Sequence, residues 1–415
     1  MKGKVTTLKA RIVLALALAL VFAGSACKKK TADAEDPLKQ IAKQRYAEGR
    51  RLFLTGDPAN YPQALKAFDD ALSSWEEYPE ALAAWAETIS MWYGFRMSRT
   101  IFEQAYVRAQ RAIRLAPESD MGYRAMADLF RHYRNPETGK LSTEEALKTI
   151  ERAIALNPKS AENLYVKGSI YLATDPDRAL EILKQALFLN PDLCKVYFNL
   201  ASAFQIKGDS IFLAQPDPDP AARAQNEKEM HGYFKQAADN LLIYQRLVPG
   251  DLGGYASLGI VYLHDGNYAR AEEMFQKAIS VNQSPDPSLI QWRELAYIYL
   301  AQLADEQKKD LNLSRSYLEK ALEANPYDTQ VYAQLIRIAK LQNDDAGAKK
   351  YEDMFQAMLA KVKAQTEAQA GATAEPEPGA TAEPEPGATA APTPGGTVPA
   401  APPPAAPAPA GGVTP

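Results

Sequence analysis

The chain has 415 residues, 46% of them hydrophobic and 24% charged, with a formal net charge of −4. That composition is globular and long enough for two or three compact domains or one extended array. Mild acidity argues against nucleic-acid binding, which needs a basic face, and two cysteines, Cys27 and Cys194, make no disulfide framework.

At the N-terminus Lys2, Lys4, Lys9 and Arg11 precede an unbroken apolar run of twelve residues, Ile12 to Ala23. As a helix at ~1.5 Å per residue that run spans ~18 Å, short of a ~30 Å hydrocarbon core. The small residues Gly24, Ser25 and Ala26 follow. A basic start, a short apolar run and a small-residue cleavage site mark residues 1–26 as a secretory signal. Its removal takes four positive charges, moving the net charge from −4 to −8. Cys27, placed directly after Gly24-Ser25-Ala26, resembles the lipobox cysteine of bacterial lipoproteins. The resemblance implies acylation of Cys27, by palmitate-type chains, and a membrane anchor. Gly24 departs from the Leu or Val usual at that position, and the same three residues also suit ordinary signal peptidase. Residues 27–39 are then a lipidated start and linker, with Lys28, Lys29 and Lys30 at the height of anionic headgroups.

Residues 40–362 carry a repeat. A phrase that closes one helix and opens the next ends at Pro117, Pro158, Pro191, Pro249 and Pro326. Asn in that phrase tolerates the left-handed conformation of a helix C-cap, and proline cannot continue the helix. Six residues after each proline stands a large residue: Tyr123, Leu164, Tyr197, Tyr255 and Tyr332, with Pro79 and Trp85 at the same spacing. Four residues later comes a small one at Ala127, Gly168, Ala201 and Gly259. Upstream of the prolines, alanines pair at a fixed spacing around a bulky residue, as in Ala146-Ile150-Ala153, Ala179-Leu183-Ala186 and Ala271-Phe275-Ala278.

This pattern resembles the tetratricopeptide repeat. The best copy runs Tyr255, Leu258, Gly259, Tyr262, Ala271, Phe275, Ala278; others run from Leu164 to Pro191 and from Trp292 to Pro326, and weaker ones begin near Tyr46, Trp85, Tyr123, Tyr197 and Tyr332. The resemblance implies an all-α fold, a right-handed superhelical solenoid of about eight helix-turn-helix repeats, in which no unit buries its apolar face alone. The signature aromatics are core residues on this reading. Spacing between successive prolines is 33 to 41 residues in the well-phased copies but 58 between Pro191 and Pro249, where Gln215 to Pro220 cannot lie inside a helix. Smaller insertions fall at 134–140 and 304–312, and insertions in such arrays map to loops.

From residue 363 to 415 the chain turns to Pro, Ala and Gly, with an eight-residue phrase starting at Gly371 and repeating at Gly379. Thirteen of the 29 prolines lie here and no aromatic does, which predicts a disordered, polyproline-leaning tail.

Sites for chemistry are missing from the pattern. His132, His231 and His264 lack metal-ligand spacing, and Asp217 and Asp219 lack the glycine turn and distal Glu of a calcium loop. No metal, cofactor or small-molecule substrate is implied, and no nucleophile elbow or phosphate loop occurs. Glu144 and Glu145 suit the positive end of a helix, and Cys194 reads as a structural thiol. The chain is therefore expected not to be an enzyme. In the tetratricopeptide family the first helix of each pair lines a concave groove for peptides or helices. Placing the family's groove register here gives Arg124, Asp128, Arg131, Phe198, Ser202, Gln205, Arg293, Tyr297 and Arg337. These do not reproduce the clamp by which some members grip a C-terminal carboxylate. The family resemblances imply a membrane-anchored protein-interaction scaffold or assembly factor, on the periplasmic face of a bacterial outer membrane. The alternative is a soluble periplasmic chaperone-like binding module without the lipid.

Overall fold

The structure, a computed structural model, describes residues 36–135, 138–281 and 287–372. Sixteen α-helices among these residues follow one another as eight pairs. The pairs are α1 (Pro37–Leu54) with α2 (Tyr61–Ser74), α3 (Pro79–Tyr93) with α4 (Arg99–Leu115), α5 (Asp120–His132) with α6 (Thr143–Leu156), and α7 (Ala161–Tyr171) with α8 (Pro176–Leu189). They continue as α9 (Cys194–Phe212) with α10 (Pro220–Leu247), α11 (Leu252–His264) with α12 (Tyr268–Val281), α13 (Pro287–Glu306) with α14 (Leu311–Ala324), and α15 (Thr329–Leu341) with α16 (Asp345–Ala372). The one β pairing among the described residues is an isolated bridge between Arg134 and Leu141, which closes the 134–140 insertion. The signal segment, Cys27 and the residues beyond 372 lie outside the described residues.

Helix starts follow from local chemistry. Pro37, Pro79, Pro176 and Pro220 occupy first positions, where a missing N–H costs nothing. Asp175, Asp219, Asp251, Asp310 and Asp328 cap by accepting from backbone N–H groups one turn in, each cap contributing about 1 kcal/mol. Helix ends differ from the expected left-handed asparagine. Asn157, Asn190 and Asn325 are extended, with φ between −144° and −136°. Each precedes a proline, whose ring excludes compact backbone from the residue before it. Two of their amides bridge instead to the first helix of the same pair, Asn325 Nδ2 donating to Glu294 at 2.9 Å and Asn157 Nδ2 to Asp120 at 3.5 Å, while Asn190 Oδ1 accepts locally from the Asp192 N–H.

Packing follows the repeat phase. Leu258, Ala271, Phe275 and Ala278 are fully buried, and a Cβ on Gly259 would lie 2.6 Å from the Phe275 ring. The small residue thus lets α11 and α12 approach until the ring fills the space a side chain would need. Phe275 in turn stacks on Tyr299 of the next pair at 5.1 Å, so the same ring joins neighbours. Gly168 meets Leu183 in the same way, and Gly49 meets Phe68, so the first unit takes its phase from Gly49, one residue off the phase set by Tyr46.

Three features depart from expectation. The long insertion is mostly helix: α9 runs to Phe212 and α10 starts at Pro220, leaving only seven residues between them. Gly208 seats Phe234 there, extending the close approach of the two helices. Helix α1 starts at Pro37, three residues before the expected edge of the array at 40. Helix α16 runs on to Ala372, ten residues past 362. Residues 363–372 are rich in Ala, Gln, Lys and Glu, all strong helix formers, and Lys363 faces Glu367 one turn on.

Candidate functional site: the concave face

Beyond partners adjacent in sequence, the main contacts between pairs run from first helix to first helix, α3 to α5, α5 to α7, α9 to α11 and α11 to α13. First helices therefore line the inner, concave face. On that face the first four pairs hold a ladder of charges. Arg124 on α5 donates to Glu87 on α3 at 3.1 Å, and Arg50 on α1 donates to the other Glu87 oxygen at 3.1 Å. Arg50 also reaches Glu162 on α7 at 4.0 Å, spanning from the first pair to the fourth. Asp120 joins Arg124 at 3.5 Å and accepts from Asn163 at 2.9 Å.

A second group sits one turn deeper. Asp128, 1% exposed, takes Arg131 at 2.6 Å on one oxygen. Ser90 Oγ lies 2.8 Å from the Asp128 carbonyl and 2.9 Å from His132 Nδ1. Burial alone would raise the Glu87 carboxyl, but Arg124 and Arg50 overcome it and hold it below the usual carboxylate range. Asp128 is likewise penalised by burial and held low chiefly by Arg131. Burial, reinforced by Arg131, pushes His132 down to about 3, so the imidazole is neutral. Ser90, His132 and Asp128 do not form a proton relay. The same ring nitrogen, Nδ1, faces Ser90 and lies 4.0 Å from Asp128, whereas a relay uses opposite nitrogens.

The nine expected groove residues fall into three sets. Arg124, Asp128 and Arg131 belong to the buried network, so the first two are closed off rather than presented on an open groove. On α9, Phe198 packs edge-on to Tyr244 at 5.3 Å, Ser202 bonds back to the Phe198 carbonyl, and Gln205 donates to Asp209. In the C-terminal pairs Tyr297 lies 6.4 Å from Tyr317, beside Arg293 on the same helix, and Arg337, about half exposed, pairs with Asp305. Sequence reasoning missed Arg50, Glu87 and Glu162. Glu87 had a signal: it is a lone mid-helix acid among the apolar residues of α3. His231 and His264 each face an aspartate at 2.6 Å, Asp265 and Asp209; neither pairing is visible from spacing.

Among known proteins, residues 252–285 match the tetratricopeptide repeat model. The chain is a tetratricopeptide-type solenoid. No curated protein matches the chain. Of solved structures, the human IFIT1 dimer with m7Gppp-AAAA superposes with a TM-score of 0.57 at 19% identity, covering 77% of this chain and 72% of that one. The APC/C hetero-tetramer Cut9-Hcn1 gives 0.51 at 14% identity, covering 78% of this solenoid and 54% of that chain. Identities this low speak to the solenoid fold.

Proposed function

We propose that the chain is a protein-binding scaffold of a bacterial cell envelope, tethered by lipid on Cys27 and holding partner peptides or helices along its concave face. The observation that carries this reading is the array itself. All sixteen described helices pair into one solenoid whose first helices share a concave face, the surface such folds use for extended segments. The tether is supported by the basic-apolar-small start of the sequence and by Cys27 at its end. A soluble periplasmic binding module is favoured by Gly24-Ser25-Ala26, which also suit ordinary signal peptidase. RNA, which the IFIT1 structures hold, is disfavoured by charge: Arg50, Arg124 and Arg131 are answered by Glu87, Asp120 and Asp128. Mass spectrometry of the mature N-terminus decides the tether. A diacyl or triacyl mass on Cys27 is expected, and an unmodified thiol there would leave the soluble module.

A further inference from the structure

The turn between α1 and α2 makes a contact that a one-dimensional stack does not require. It crosses from the first pair to the fifth. The Thr55 carbonyl lies 3.8 Å from the Cys194 sulfur, at the first residue of α9. The next residue, Lys195, directs its ammonium at the Tyr61 hydroxyl, and over the rings of Tyr61 at 4.7 Å and Phe53 at 5.0 Å. Gly56 sits between them with φ +71°, and a Cβ there would collide with the Cys194 sulfur. Asp57 presses on the α10–α11 turn, 2.8 Å from where a Gly250 Cβ would stand.

We propose that the Phe53–Tyr61 turn is a clasp, an internal segment seated on the concave face of the fifth pair, that must part before a partner can lie along the N-terminal half of the groove. Three observations argue for release rather than permanent core. In solenoids, stability comes from neighbouring pairs, and this contact joins units separated by three others. The contact is small, and the Lys195 ammonium has a phenol as its hydrogen-bond partner and two ring faces beside it, with the Asp128 and Glu87 carboxylates acting only from beyond ion-pair distance, weak compensation for lost water. Its backbone depends on one glycine in the left-handed region. The residues the clasp covers are the start of α9, the helix whose face carries Phe198 and Ser202, and Val248 and Gly250 in the adjoining α10–α11 turn. The clasp rests on the groove reading for its purpose, but its opening can be measured without any partner.

The test is the labelling rate of Cys194 by a maleimide in the full chain carrying Cys27→Ser, which leaves one thiol. Cys194 is 5% exposed beneath the turn. Opening of the clasp alone predicts labelling that depends only weakly on urea; labelling that follows the full urea dependence of global unfolding would overturn the proposal. Gly56→Ala and Gly139→Ala form a matched pair. Both glycines have positive φ, +71° and +66°, but a Cβ at Gly139 meets nothing within 4 Å. Gly56→Ala should speed labelling about tenfold or more, and Gly139→Ala should change it less than about twofold. Equal rates in the two variants would refute a clasp. The urea series on the unsubstituted turn stands if Gly56→Ala does not fold. Because no partner enters the assay, failure of the clasp leaves crosslinking at the C-terminal pairs to judge the groove separately.

Discussion

Removing Glu87 should unlock the N-terminal pairs. Its carboxylate receives Arg124 at 3.1 and 3.4 Å and Arg50 at 3.1 Å, and the Arg124 side chain is only 4% exposed. Breaking a buried ion pair from one side costs about 3–5 kcal/mol, because the surviving charge keeps its desolvation penalty. Here Arg124 retains Asp120 at 3.5 Å and Arg50 retains Glu162 at 4.0 Å, which puts Glu87→Ala near the lower end, about 3 kcal/mol. Glu76→Ala is the control: Glu76 pairs with Arg111 but is 78% exposed, so about 1 kcal/mol or less is expected. Urea unfolding followed by tryptophan fluorescence reads the difference, since Trp75, Trp85 and Trp92 lie in the first two pairs and only Trp292 lies far from them. Hydrogen exchange should localise the loss to α1, α3, α5 and α7. The pH dependence has a definite sign. The Glu87 pKa is depressed on folding, so its stabilisation is present above the ordinary carboxylate pKa and lost as pH falls through the folded value. Glu87→Ala should remove that acid-side slope. A loss no larger than that of Glu76→Ala, or one spread evenly to α13–α16, would refute the ladder.

Other outcomes follow from the packing and the charges. Phe275→Ala should cost about 3–5 kcal/mol by opening a cavity between α11 and α12, and Gly259→Val about 1–3 kcal/mol by overfilling the same space; thermal melts of both variants check this. Glu294 is raised to about 8, first by burial and then by Asp328. Its protonated form stabilises the fold fully below the unfolded carboxyl pKa, and that contribution fades as pH rises through about 8. Glu294→Gln should therefore gain stability over the native chain between pH 5 and pH 9, by about 1 kcal/mol after allowance for partial solvation; a constant difference across that range would contradict it.

The legible part of the fold was the part that repeats. Gly259 with Phe275 and Gly168 with Leu183 are close approaches that one spacing rule captures, because each is local to a helix pair. Asn157 and Asn325 are extended and not left-handed because the following proline, not the asparagine, decides the backbone there. Helix α16 runs past its expected end because the Ala, Gln, Lys and Glu residues before the Pro-rich tail favour helix whatever follows them. In the site, register alone reached Arg124, Asp128 and Arg131, but not that Glu87 and Arg50 would enclose the ladder. That depends on how tightly the array coils, as do the contacts of Arg50 with Glu162 and of Tyr61 with Lys195. Coiling accumulates from small rotations at each junction, and no single motif encodes it.

The central claim is that the concave face binds protein. Photo-crosslinking amino acids at Tyr297 and Arg337 on first helices, and at Phe188, 89% exposed on the second helix α8, test it in the native envelope. Discrete protein adducts at Tyr297 and Arg337 but not at Phe188 are predicted. Adducts at Phe188 alone, equal labelling at all three, or crosslinks to nucleic acid instead of protein would contradict it.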